Sequence, residues 1–274
     1  CFFCFFGFVV LLVFFFWGFV LCVVTIKNII YEMCLNDNYY VVMDNQLAKS
    51  KSNLTLNEIK LLRLVITQVI KDDTDFKTYK VSINQLSEIM GIQKNNLRRD
   101  LPKICEHLLQ EVVYIIDDTK PKSKWKMFQW CSSCEYDDGT LIIKLHDNLK
   151  PYLINVSKYI QYQYNEIIVF ESKHSIRLYE LLYEELKTKS RIGIGQKAVI
   201  TISVKLIQYA TNTDTIYTKY SKLKEYVLDV AVNEINRKSI YRISFEPIRK
   251  DKIITHIQFT IENKIGKNLP MYEK

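Results

Sequence analysis

Ser82-Ile-Asn-Gln-Leu-Ser-Glu-Ile-Met-Gly91-Ile-Gln-Lys-Asn-Asn-Leu-Arg-Arg-Asp-Leu101 is the stretch that decides the fold. Ser82 is a helix-capping residue, Leu86, Ile89 and Met90 follow at helical spacing, and Gly91 supplies a stop. After the turn Ile92–Gln93–Lys94 a second helix places Leu97, Leu101, Ile104 and Leu108 on one face. Lys94, Asn95, Asn96, Arg98, Arg99 and Lys103 fall off that stripe. An apolar back with Arg, Lys and Asn in front is what a DNA-recognition helix requires: the back packs, and the front reaches phosphates and base edges. Pro102 leaves the helix start open. Either the helix bends at the proline, or it begins near Asp100 and leaves Asn95–Arg99 in the turn.

Working outward, Thr55 and Glu58 form a capping box that opens an earlier helix with Ile59, Leu62, Ile66 and Val69 inward. Lys77–Ser82 alternates as a short strand. Val112–Ile116, Lys126–Cys131 and Thr140–Leu145 read as strands, with a turn at Tyr136-Asp-Asp-Gly139. The same order then recurs. Ser172 caps a helix carrying Ile176, Tyr179, Leu182 and Leu186, Ala198–Ile202 is a strand, and Ser203 opens a short helix. A long helix follows from about Tyr217 to Asn236, with Tyr220, Leu223, Val227, Ala231 and Ile235 inward and Thr218, Lys219, Ser221, Lys222 and Lys224 outward. Tyr241–Glu246 and Ile253–Ile261 form a hairpin whose tip, Arg249-Lys-Asp-Lys252, is suited to phosphates through Arg249, Lys250 and Lys252.

A helix–turn–helix followed by a hairpin wing, spelled twice, predicts an α+β protein of two tandem winged-helix domains that grips duplex DNA. A basic helix taken singly is only a solvated face; its recurrence at the same place in two modules carries the inference. The 274 residues suffice for two domains, and the net charge of +8 suits a polyanion. We divide the chain into an apolar tract and leader at 1–37, an N-terminal winged helix at 38–160, a C-terminal one at 161–265 and a tail at 266–274.

Cys1–Val24 carry no charge and have the length of a membrane span. They use only Phe, Val, Leu, Gly, Cys and Trp, each of which has a codon built from G and T alone. We read them as translated upstream DNA lying outside the fold, with a start near Met33 or Met43. A genuine membrane anchor is the alternative. The seven cysteines show no disulfide framework, in keeping with a reducing cytoplasm.

No phosphate-binding loop of the ATPase type occurs, and Gly193-Ile-Gly-Gln-Lys197 reads as a loop before a strand. His107, His146, His174 and His256 lie far apart, with none of the paired histidines that a metal-dependent nicking enzyme needs. Cys131-Ser-Ser-Cys134 is half of a zinc site without its other half. We therefore expect no enzyme, no cofactor, no metal and no small-molecule substrate.

Leu54-Thr-Leu-Asn-Glu-Ile-Lys-Leu-Leu62, Ser175-Ile-Arg-Leu-Tyr-Glu-Leu-Leu182, Val227-Leu-Asp-Val-Ala-Val-Asn-Glu-Ile-Asn236, Phe245-Glu-Pro-Ile248 and Phe259-Thr-Ile261 resemble the initiator replication proteins of iteron-type plasmids. The resemblance covers nearly everything after about residue 38. It implies binding to repeated origin sequences in double-stranded DNA. The main major-groove contacts would come from the C-terminal domain, and the dimer interface from the N-terminal one. Dimers in equilibrium with monomers would repress the protein's own gene; monomers would open the origin and recruit the host replication initiator and helicase. The chain departs from these relatives at Glu225–Tyr226, where they often carry more Arg and Lys. A winged-helix transcriptional repressor and a rolling-circle nicking enzyme are the competing readings.

Overall fold

The computed structural model describes residues 39–117, 124–189 and 197–264, and the chain from Tyr40 onward forms one compact unit. The apolar tract, Cys1, Cys4, Cys22, Cys34, the Gly193–Gln196 stretch and the C-terminal tail fall outside the described residues. Among those described, no helix is long and apolar enough to cross a membrane.

The first winged helix begins with β1 (Tyr40–Asp44) and a single helical turn, α1 (Asn45–Ala48). Helix α2 (Leu56–Ile66) opens on a complete capping box, in which Thr55 accepts from the Glu58 amide and Glu58 accepts from the Thr55 amide. It ends at Ile66, so Val69 lies in the turn beyond it and is only half-buried, not part of the helical stripe. The helix is also buried nearly all round, Glu58, Lys60 and Arg63 included, which makes it a central strut rather than an amphipathic surface helix. Strand β2 (Tyr79–Ser82) leads into α3 (Ile83–Met90), where Ser82 and Gln85 make a second capping box. Gly91 ends α3 at φ +65°, a left-handed conformation that glycine adopts without steric cost.

Helix α4 runs unbroken over Lys94–Gln110. It starts at Lys94, not near Asp100, so Asn95–Arg99 are helical. Pro102 and Arg98, the residue one turn back whose carbonyl loses its amide partner, are both exposed residues, so the proline sits on the solvent side of the helix, where its cost is lower. Four strands follow: β3 (Val112–Asp117), β4 (Lys124–Gln129), β5 (Cys131–Asp137) and β6 (Thr140–Leu145). They form two separate hairpins, β3–β4 and β5–β6. Cys131 therefore opens β5 instead of closing the preceding strand, and Tyr136 and Asp137 belong to β5. The turn of the second hairpin is Asp138–Gly139, both at positive φ, as a tight two-residue connection requires. Strand β2 pairs with β6, so the sheet order is β2-β6-β5.

The short helix α5 (Lys150–Leu153) leads to β7 (Tyr159–Gln163), which pairs antiparallel with β1. The division expected at residue 160 thus falls inside a strand. One turn, α6 (Asn165–Ile168), precedes α7 (Lys173–Lys189), the framework helix of the second winged helix. Then come β8 (Lys197–Ser203), α8 (Val204–Ala210), α9 (Tyr220–Leu223), a wide π turn (Lys224–Leu228), α10 (Asp229–Lys238), β9 (Tyr241–Lys250) and β10 (Ile253–Asn263). The sheet order is β8-β10-β9, the same first–last–middle order as in the first module. The long helix starts at Tyr220, three residues later than the sequence suggests, so Thr218 precedes it and Lys219 is its cap.

A buried charge network joins the two modules. Glu180 on α7 accepts from Arg63 of α2 at 2.6 and 3.1 Å, from Arg177 and from the Tyr162 hydroxyl at 2.7 Å. Arg177 also donates to the carbonyls of Ala48 and Ser50 in the first module and of Ala210 in the second. Burial alone would raise the Glu180 carboxyl, but the two guanidiniums hold it below its ordinary value and keep it ionised. With Arg63 and Glu180 1% and 0% exposed, removing one partner strands a charge in the interior.

Candidate nucleic-acid interface

Helix α4 turns Leu97, Leu101 and Leu108 inward and half-buries Ile104. Lys94, Asn95, Asn96, Arg98, Arg99 and Lys103 are all exposed on its outer side. Arg99 is held by its neighbour Asp100 through two contacts, 2.9 and 3.2 Å. The result is a face with four cations against one carboxylate between Lys94 and Lys103, set on the second helix of a helix–turn–helix.

The corresponding helix of the second module differs. Lys219, Ser221, Lys222 and Lys224 are exposed there too, but two of the lysines are paired. Lys222 donates to Glu225 at 3.0 Å and lies 5.0 Å over the Tyr226 ring. Lys224 grips Asp229 at 2.8 and 2.7 Å and lies 5.6 Å over the Phe245 ring of β9. Its partner Asp229 donates its amide back to the Lys224 carbonyl, the bond that widens the helix into a π turn. The buried side is Leu223, Val227, Leu228, Ala231, Val232 and Ile235; Tyr220 is half-buried. Sequence spacing marks the lysines, and Lys222–Glu225 is an ordinary i,i+3 helical pair, but Asp229, five positions on, reaches Lys224 across the π turn.

The wings differ as well. On β9–β10 every residue from Glu246 to Ile253 is exposed, including Arg249, Lys250 and Lys252 at the tip, where Asp251 turns the chain at φ +57°. The tip of β5–β6 is acidic: Glu135, Asp137 and Asp138 are exposed and no cation lies between Cys131 and Thr140. The extra hairpin β3–β4 presents an apolar outer face made of two cross-strand pairs, Tyr114 with Met127 and Ile116 with Trp125. These four side chains are 40–67% exposed. Nothing in the sequence marks these four side chains, because a strand's two faces separate only when its register is known.

Cys105, Cys131 and Cys134 are free thiols; a hydrogen bond to Cys134, with burial, raises the Cys105 thiol, and at Cys134 the lowering by Cys105 is outweighed by a hydrogen bond with Cys131 and by burial, so that thiol is raised too. Among the described residues no group of His, Cys, Asp and Glu is placed to hold a metal ion.

Two helix–turn–helix units, each backed by a three-stranded sheet in the same order and closed by a projecting hairpin, define a tandem winged-helix protein. A family model described as "Initiator Replication protein, WH1" matches residues 40–183, and one described as "Initiator Rep protein, WH2" matches residues 203–261. The chain belongs to the initiator replication protein family. It is 28% identical over 197 residues to a replication initiation protein of Escherichia coli, a match covering 70% of this chain and 60% of that relative's length. The fold is also that of the Pi initiator protein solved in complex with iteron DNA, at a TM-score of 0.66 and 16% identity, covering 84% of this chain and 100% of that one.

Proposed function

We propose that the chain is a plasmid replication initiator, non-enzymatic and cytoplasmic, that binds repeated sequences in double-stranded origin DNA. The observation that carries this reading is the tandem of winged helices in one compact unit, each with exposed Lys or Arg on its second helix. Lys94, Arg98, Arg99 and Lys103 neutralise phosphates for the first module; Lys219, Lys222, Lys224, Arg249, Lys250 and Lys252 do so for the second. Asn95, Asn96 and Ser221 lie at the helix starts, where side chains meet base edges in the major groove. The relative's name and the iteron DNA of the Pi complex support the assignment to origin repeats.

The bound monomer opens the origin and helps recruit the host replication initiator and helicase, and the dimer represses the protein's own gene. For the dimer, the outer face of β3–β4 offers a surface that a second copy would cover, since four large apolar side chains there stand in water. Footprinting a chain that starts at Met33 on its own origin tests the reading. Expected is protection of direct repeats beside an AT-rich stretch, fading steeply as salt rises. No protection at low ionic strength would overturn it.

A further inference from the structure

The second recognition helix carries its acids where a DNA-binding face ordinarily carries cations. Opposite the buried stripe lie Ser221, Glu225, Asp229 and Asn233, spaced four apart. In a regular α-helix such a row drifts by about 40° per step. The π turn over Lys224–Leu228 takes up part of that drift and keeps the row on one face. The lysines flank this row. Lys222 leans over Tyr226 on one side, and Lys224 leans over Phe245 of the wing on the other. Lys222, hydrogen-bonded to Glu225, and the Tyr226 beside it keep the Glu225 carboxyl below its usual value, so it is ionised at neutral pH.

A carboxylate at the middle of a groove-facing helix can accept hydrogen bonds and donates none. On the floor of the major groove the donors are the exocyclic amines of cytosine and adenine. Adenine sets its N7 acceptor beside that amine and repels a carboxylate; cytosine does not. We propose that Glu225 is a specificity-determining residue that accepts from the N4 amine of one cytosine in each repeat, while Lys222 and Lys224 swing outward to the phosphates on either wall. Ser221, one turn earlier on the same row, contacts the adjoining base edge. This assignment rests on reading the helix as the major-groove element of a DNA-binding protein, and gives its base contact a chemical identity.

The test is selection from a pool of duplexes with a randomised core, using the full chain, the Glu225→Gln variant and the Glu225→Ala variant. The wild-type chain is expected to enrich a site containing a cytosine that Glu225→Gln exchanges for adenine, because glutamine matches the N6/N7 edge of adenine. Changing that cytosine to adenine in the selected duplex is expected to weaken the wild-type chain by roughly tenfold to a hundredfold. The preference reverses for Glu225→Gln, and Glu225→Ala tolerates either base. Two results overturn the proposal: an unchanged consensus in both variants, or a uniform rise in affinity for all sequences, which would make Glu225 a general repeller of phosphate. Failure of the wild-type chain to enrich any duplex would overturn the DNA-binding reading itself, and this assignment with it.

Discussion

The two winged helices share a sheet order and divide their charge in opposite ways. The first has a cationic recognition helix, in which Asp100 holds Arg99 and attracts Lys103 while Lys94 and Arg98 form no ion pair among the described residues, and an acidic wing with Glu135, Asp137 and Asp138. The second has a recognition helix whose Lys222 and Lys224 are paired with Glu225 and Asp229, and a wing tipped with Arg249, Lys250 and Lys252. One topology thus offers two separate places to put phosphate-binding charge, the helix or the hairpin. A module that holds the backbone with its wing can spare its helix for base edges.

The two modules are held in one compact unit, and the largest expected effect comes from breaking the link between them. Glu180→Gln leaves Arg63 and Arg177 buried without their carboxylate, and should cost about 3–5 kcal/mol. Chemical denaturation would read the loss; an unchanged midpoint would mean that the network does not carry the junction. The native Glu180 contribution is complete above the ordinary carboxylate value of 4.5, because its folded value is depressed, and it is lost as pH falls through that folded value.

A second, milder acid sensitivity belongs to the second module alone. Burial, with Lys173 beside it, lowers His174 at the start of α7 from 6.5 to about 4. Between those values the unfolded chain binds the proton and the folded chain does not, so stability declines as pH drops through this window. The decline is on the order of 2–3 kcal/mol. His174→Gln should remove the part of it that falls between pH 7 and pH 5, leaving denaturation midpoints at those two values nearly equal; an undiminished loss between them in the variant would point to another group.

Charge removal from the two helices separates the modules more finely. Lys94→Ala with Arg98→Ala strips unpaired cations and should lower the salt slope of DNA binding by about 2. Lys222→Ala with Lys224→Ala should weaken binding to all DNA and flatten the slope by less, since those lysines must first leave their carboxylates. Equal slopes in affinity titrations over several salt concentrations would erase the distinction. The smallest effect is expected at the acidic wing: Asp137→Asn should strengthen binding by no more than about 1 kcal/mol, the scale of a single exposed charge, and an unchanged affinity would show that the β5–β6 wing stays away from the phosphates.

Much of the fold is legible because it is local. The capping boxes at Thr55 and Ser82, the stop at Gly91 and the helical spacing of Leu97 and Leu101 are short-range signals that survive intact in the structure. The pairing of β1 with β7, some 120 positions apart in the chain, leaves no such signal. Nor does the choice between one hairpin and two across Val112–Leu145, since alternation marks a strand without naming its partner. The exposed cations of the site were readable as residues off an apolar stripe. The pairing of Lys224 was not, because Asp229 reaches it only around a widened turn.

By itself, then, the sequence determined the repeated helix–turn–helix order and the positions of the basic side chains, since periodicity and capping act within a few residues. Tertiary structure alone decided that Arg63, Arg177 and Glu180 meet in the interior and that the β3–β4 face stands exposed. Those outcomes depend on which distant surfaces exclude water from one another, and no local pattern of residues encodes that.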